Sequence, residues 1–253
     1  MKNEIKIFLT ALMFYTRIPV GSIEGWSEKM LNKATRYFPV IGWIVGGVGA
    51  LVYFAFGAVL PVTLAVALSM VATILLTGAF HEDGFADFCD GFGGGYTPER
   101  ILEIMKDSRI GTYGTVGILS VLAIKFLALS HIDTMRIPFI LIAGHALSRI
   151  FPVLLIYSSV YARLDATSKT KPVGKADSLF SLLFALVTGG LSLLFLAWQE
   201  TVLVIAVLLI VTFFFRNYIT RKLGGYTGDV LGALQQLCEV LFYLCILVYQ
   251  NIR

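Results

Sequence analysis

The sequence predicts an all-α fold: a polytopic membrane helical bundle with about seven spanning helices and a short N-terminal interfacial or re-entrant helix. Three observations carry this. Hydrophobic residues make up 57% of the 253 and charged residues only 14%, little more than half the share usual in soluble domains. The mean hydropathy of +0.82 leaves too few polar side chains to cover a soluble surface. Apolar runs of about 20 residues, the length that crosses a hydrocarbon core, recur along the chain. Residues 1–253 read as a single integral membrane domain.

Residues 5–16 (IKIFLTALMFYT) are too short to span and are followed by no small-x-small cleavage site, so they predict the interfacial or re-entrant helix. The segment 20–36 is polar, with Trp26 and Tyr37 suited to a membrane interface. From Val40 to Phe80 there is no charge. At about 1.5 Å per residue that is two bilayer thicknesses, and Pro61 divides it into spans near 39–60 and 62–80. Gly42, Gly46, Gly47 and Gly49 in the first predict close helix packing.

A third span near 115–131 follows Gly111, Gly114 and Gly117, which recur at every third residue. Arg136-Ile137-Pro138 opens a fourth near 137–160, and a polar loop at 162–178 carries Arg163, Asp165, Lys169, Lys171, Lys175 and Asp177. Spans five and six fall near 178–198 and 201–216, with a turn at Trp198-Gln199-Glu200. The loop 216–229 holds Arg216, Arg221, Lys222 and Asp229, and the last span lies near 230–250.

This alternation has a charge test. Sixteen of the twenty Lys and Arg residues fall in the N-terminal segment and in the loops after spans two, four and six. By the positive-inside rule those segments face the cytoplasm of a multi-pass protein. Orientation thus accounts for the net charge of +4, and nucleic acid is not an expected partner. The lipid bilayer is a partner, and a homo-oligomer is compatible with the sequence. Cys89, Cys238 and Cys245 form no metal-type pairs and read as small apolar fillers.

The stretch from His81 to Asp107, HEDGFADFCDGFGGGYTPERILEIMKD, holds seven of the sixteen acidic residues. It makes 81–114 a cytoplasmic acidic and glycine-rich catalytic segment, because carboxylates between apolar runs are costly unless solvated and functional. If residues 82–91 continue the second span as helix, Asp83, Asp87 and Asp90 share one face. Carboxylates converging there repel unless a cation intervenes, and oxygen ligands suit magnesium or calcium. A solvated helix end is the plainer alternative. Glu82 lies about 100° round the helix from Asp83. Gly91, Gly93, Gly94 and Gly95 can present backbone N–H groups to phosphate, or simply end the helix. Lys106 and Arg109 are candidate anion ligands, whereas Arg100 is placed to pair with Glu103.

His81 is a candidate ligand or base, with a locally satisfied histidine as its alternative. His145 and Arg149 stand one turn apart within a span, where arginine must face the bundle interior. Glu239 meets the same requirement, and an Arg149–Glu239 pair is the simple resolution. Lys125 pairs likewise or snorkels. Asp229 in GYTGD is a further metal or hydroxyl contact. These residues together describe a metal-dependent membrane phosphotransferase.

Several segments resemble the cobalamin synthase family, the adenosylcobinamide-GDP ribazoletransferases. They are FYTRIPV at 14–20, RYFPVIGWIVG at 36–46, GAFHEDGFADFCDGFGGG at 78–95, RILEIMKDSRIGTYG at 100–114, SR at 148–149 and GGYTGDVLGALQQLCE at 224–239. They cover nearly the whole chain in order. Glu82 is a departure, since that family more often has leucine there. The resemblance implies a late step of cobalamin biosynthesis in which adenosylcobinamide-GDP reacts with α-ribazole, or its 5′-phosphate, to give adenosylcobalamin (or its phosphate) and GMP, with Mg2+ as cofactor. On that reading Asp83, Asp87 and Asp90 carry metal and phosphate chemistry, with Glu82 beside them and Asp90 a candidate general base. Lys106, Arg109 and Arg149 would hold the diphosphate, and His81 and Asp229 would contact substrate. Two rivals are a CDP-alcohol-type phosphotransferase and a transporter using His145, Arg149 and Glu239. The first fits poorly because Asp87, rather than arginine, follows the DGFA segment and the aspartate spacing is shorter. Against the second, the polar residues gather on one side and no internal repeat is visible.

Overall fold

The computed structural model describes residues 2–162 and 174–252. Arg163, Asp165, Lys169, Lys171 and Arg253, which enter the charge count above, lie outside the described residues. Among the described residues the elements are helices, and the one β-bridge joins Tyr161 to Tyr226.

Helix α1 (Lys2–Tyr15) has 14 residues, about 21 Å at helical rise, so it is too short to cross a bilayer. It buries Ile7, Ala11 and Tyr15, spaced four apart on one face, against Phe38, Ile41 and Val45. Helix α2 (Glu28–Ala34) starts earlier than its polar composition suggests. Ser27 caps it by accepting from the Met30 N–H, and buried Leu31 and Ala34 give it an inner side. A 3-10 turn (Thr35–Tyr37) then leads directly into α3 (Phe38–Gly57). Gly42 and Gly46 let α3 lie on the backbone of α8 (Ile137–Ser148), where a Cβ at Gly46 would stand 2.6 Å from the Ile142 Cα. The close packing expected of these glycines is present.

Helix α4 (Val62–Thr77) ends earlier than the expected span and does not run on into the acidic stretch. Gly78 and Ala79 both adopt left-handed backbone, with φ of 65° and 57°. The chain there turns by 87° into α5 (Phe80–Gly94). A non-glycine residue in this region is uncommon and carries local strain. The bend is held from the side: the Arg17 N–H donates to the Leu76 carbonyl at 2.7 Å, and the Arg17 side chain occupies the space a Gly78 side chain would need.

The chain continues through α6 (Pro98–Ile104), α7 (Thr112–His131), α8, α9 (Ile150–Ser158), α10 (Leu179–Gly190, lengthened by a 3-10 turn to Phe195), α11 (Trp198–Leu223) and α12 (Gly228–Ile252). Helix α11 runs seven residues past the expected end at 216, so the expected loop 216–229 shrinks to 224–227. Among the described residues, five helical stretches are long and apolar enough to cross a bilayer, or six with the bent α4–α5 pair. The expected count of seven passes is therefore approximate. At one end of the bundle Tyr53 reaches Thr134, Arg136 pairs with Glu200 at 2.7 Å, and Gln250 accepts from the Asp133 N–H. At the other end Arg17 meets Leu76, Val160 meets Tyr226, and Tyr157 donates to the Ser178 carbonyl. The count falls below seven because α4 and α10 are short, not because the chain reverses differently.

Helix α5 lies across this second end. It touches the first turns of α12 through Gly84 and α7 through Asp90, and the end of α11 where Phe88 stacks on Phe215. A Cβ at Gly84 would stand 3.1 Å from the Asp229 Cα and carbonyl, both rigid backbone atoms. A Gly84→Val substitution is therefore expected to push α5 off α12 and cost about 1–3 kcal/mol. A lowered thermal midpoint in detergent together with lost turnover is the expected result.

Candidate active site

The acids of α5 divide by helical position. Asp83 is exposed, Asp87 half-buried and Asp90 buried, all on one continuous helix. Asp90 accepts the Gly111 N–H at 2.7 Å on one oxygen and the Gly114 N–H at 2.8 Å on the other. It thus caps α7, neutralising donors that open the helix. The threefold glycine spacing noted in the sequence has its cause here. A Cβ at Gly111 would stand 2.5 Å from the Asp90 carboxylate, and one at Gly117 2.6 Å from Cys89 Sγ. Asp90 was expected beside Asp83 and Asp87 as metal ligand and base, but its carboxylate is tied to the α7 backbone. Asp90→Ala is expected to cost about 2 kcal/mol through two orphaned N–H groups, read as faster amide exchange in the first turn of α7.

Glu82 faces the opposite way, into the core, where Gln236 donates to it at 3.1 Å. Gln236 belongs to a buried polar network on α12. Lys125 from α7 donates to Gln236 at 2.6 Å and pairs with Glu239 at 2.9 Å. Gln235 donates to Glu239 at 2.6 Å and to Ser148 at 3.0 Å, while His145 Nδ1 lies 3.4 Å from Glu239. The expected Arg149–Glu239 pair is replaced by Lys125–Glu239. Arg149, buried at the α8–α9 junction, donates to the His145 carbonyl at 2.6 Å and lies over the Phe38 ring. The network ties α5 to α7, α8 and α12 below the acidic face, and Arg149 sits within the core.

Two recesses flank α5. On the Asp90 side, Arg100, Asp107 and Arg109 surround the start of α7. Arg109 clasps Asp107 through two side-chain contacts of 3.1 and 2.8 Å. Those bonds, with the Arg109 backbone N–H, hold the Asp107 carboxyl down at about 2. Such a group is too weak a base to take a proton at neutral pH. Arg100 pairs with Glu103 at 2.7 Å, as its spacing predicts. Lys106 is exposed on the same turn.

On the other side a cavity of about 310 Å³ is bounded by α1, α3, α5, α9 and the start of α12. His81 and Asp229 both line it. Its aromatic wall, which includes Phe14, Tyr15, Phe38 and Phe80, was not singled out from the sequence, although FYTR and RYF carried three of these four. Asp83 and Asp87 lie along α5 between the two recesses. Among the described residues, no three His, Cys, Asp or Glu side chains converge into a metal site of their own. Magnesium needs less than that, since it binds through one or two carboxylates and completes its shell with phosphate oxygens and water. Asp83 and Asp87, one turn apart, fit that requirement by their chemistry.

The sequence profile of a family described as cobalamin-5-phosphate synthase matches residues 7–247. A curated relative from Shewanella amazonensis, an adenosylcobinamide-GDP ribazoletransferase, is 43% identical over 98% of this chain and 96% of its own. Proteins of the same name from Vibrio parahaemolyticus and Ralstonia nicotianae are 41% and 42% identical, covering 100% and 99% of this chain and 96% and 98% of theirs. No solved structure matches.

Proposed function

This chain belongs to the cobalamin-5-phosphate synthase family, and on that premise we propose that it is the membrane transferase joining adenosylcobinamide-GDP to α-ribazole, or its 5′-phosphate, with release of GMP. The observation that carries this is the near full-length match to relatives of that name, with the acidic helix α5 inside the matched region. The reaction forms a bond from a ribose hydroxyl to the phosphorus attached to cobinamide and breaks the bond from that phosphorus to GMP. The hydroxyl proton leaves to a base.

Asp83 and Asp87 would hold Mg2+, which neutralises charge on the diphosphate when bound. Their exposure on α5 suits them to meet a substrate. Lys106 and Arg109 put positive charge beside the same helix and would steer and orient the diphosphate. Asp90 holds the start of α7 in register with α5 and is a positioning residue. Asp229, whose backbone packs on Gly84 at the start of α12, would orient the acceptor hydroxyl.

The same reading puts the protein in the cytoplasmic membrane with α5 facing the cytoplasm. The concentration of Lys and Arg at that end of the bundle supports this orientation. A cysteine introduced at exposed Tyr96 should react with a membrane-impermeant maleimide only in inverted vesicles. Labelling in right-side-out vesicles would reverse the orientation.

The reaction is tested with purified protein in lipid, given adenosylcobinamide-GDP and α-ribazole with and without Mg2+. Magnesium-dependent appearance of GMP and the corrinoid product is expected. Folded protein that yields neither, and instead releases CMP from CDP-alcohol substrates, would overturn the reading.

A further inference from the structure

We propose that the aromatic cavity beside α5 binds the flat two-ring base of the acceptor nucleoside, an assignment that rests on the ribazole-transferring reading above. The walls are suited to a planar apolar ring. Tyr15 and Phe38 stack with centroids 4.5 Å apart and planes at 25°, Phe38 stacks on His81 at 5.4 Å, and Phe80 meets His81 edge-on at 5.3 Å. Aromatic surfaces in these arrangements favour a further ring offered in the same way. Across from them Gly228 and Gly232 present no side chain, and a Cβ at Gly228 would touch nothing within 4 Å.

Two polar groups argue for a heterocycle with a sugar rather than a lipid tail. His81 lines the cavity and is only 2% exposed, and among the described residues its Nε2 has no hydrogen-bond partner. A polar imidazole in the wall is better matched by a heterocycle or a sugar hydroxyl than by an acyl chain. Asp229 lines the cavity and also packs against Gly84 of α5. A nucleoside with its base in the cavity therefore brings its ribose to the carboxylates, where the reacting hydroxyl is needed. A volume of about 310 Å³ is at the lower limit of small-molecule sites and too small for a corrin macrocycle. Guanine carries polar groups on several edges, and the apolar part of the wall, Phe14, Phe38, Phe80 and Val153, matches it less well. A benzimidazole, with an apolar outer edge, needs none there.

The experiment narrows the cavity from two sides, with Val153→Phe and Gly228→Val, in full-length protein reconstituted in lipid. The Michaelis constant for α-ribazole is expected to rise about tenfold or more. Both kcat at saturating ribazole and the constant for adenosylcobinamide-GDP should stay within about twofold. In Val153→Phe, a riboside carrying a smaller base, imidazole, should lose less affinity than α-ribazole does, which general destabilisation would not produce. Unchanged ribazole constants in folded variants, or a rise confined to adenosylcobinamide-GDP, would overturn the assignment and give the cavity to lipid or to guanine. Wild-type protein that forms no GMP in the same assay would instead sink the reading of the reaction itself.

Discussion

Asp83→Asn and Asp87→Asn are each expected to lower turnover by about 10²–10³-fold or more while the protein remains folded. The size follows from what is lost, a charged oxygen where the charge on the transferring phosphate must be neutralised. Asparagine keeps the shape and removes the charge. Because Asp83 is exposed and Asp87 only half-buried, neither change should open a core. The separating measurement is a magnesium titration. The variants should need more Mg2+ for half-maximal rate than wild type, whereas Asp90→Asn should lose activity with little change in that requirement, since its carboxylate is engaged by Gly111 and Gly114. Full activity with unshifted magnesium dependence in both folded variants would remove these residues from the metal.

Glu239→Leu is expected to destabilise the bundle by about 3–5 kcal/mol, because the Lys125 ammonium would be left buried without its counter-charge. The pair is nearly inaccessible, with side-chain exposures of 5% for Lys125 and 4% for Glu239, and its atoms are 2.9 Å apart. Glu239 also accepts from Gln235 and lies near His145. The double change Lys125→Met with Glu239→Leu should recover much of the loss, because an apolar pair removes both desolvation costs together. Thermal unfolding of the three variants in one detergent reads the coupling. Equal midpoints for the Glu239→Leu single variant and wild type would show that the network contributes little. Gln236 links this network to Glu82 on α5, so the single change should also lower kcat at temperatures where the protein is still folded.

Much of the site was legible because its chemistry is local. Asp83 and Asp87 stand one helical turn apart in any helix that contains them, so their shared face needed no tertiary knowledge. Arg100 and Glu103 paired for the same reason. What failed was the straight continuation of the second span and the choice of Arg149 as the partner of Glu239, whereas Lys125 did find an ion-pair partner. The second span was expected to carry the acids along its own axis, yet Gly78 and Ala79 turn the chain by 87°. An alanine in left-handed backbone gives no compositional warning. Lys125, not Arg149, found Glu239, because helix rotation and depth set which side chain reaches a carboxylate on α12.

The amino-acid sequence by itself determined that this is a helical membrane protein, where most of its passes begin and end, and which stretch carries the acids. Those follow from hydropathy over lengths set by the bilayer and from the 3.6-residue period of the helix. Only the tertiary structure decided that α5 lies across the end of the bundle, that Asp90 holds α7, and that aromatic residues from α1, α3 and α5 enclose a cavity beside Asp229. The reason is physical. Each depends on close approaches between residues far apart in the chain, permitted where Gly84, Gly111 and Gly114 lack side chains, and hydropathy carries no trace of which distant surfaces will meet.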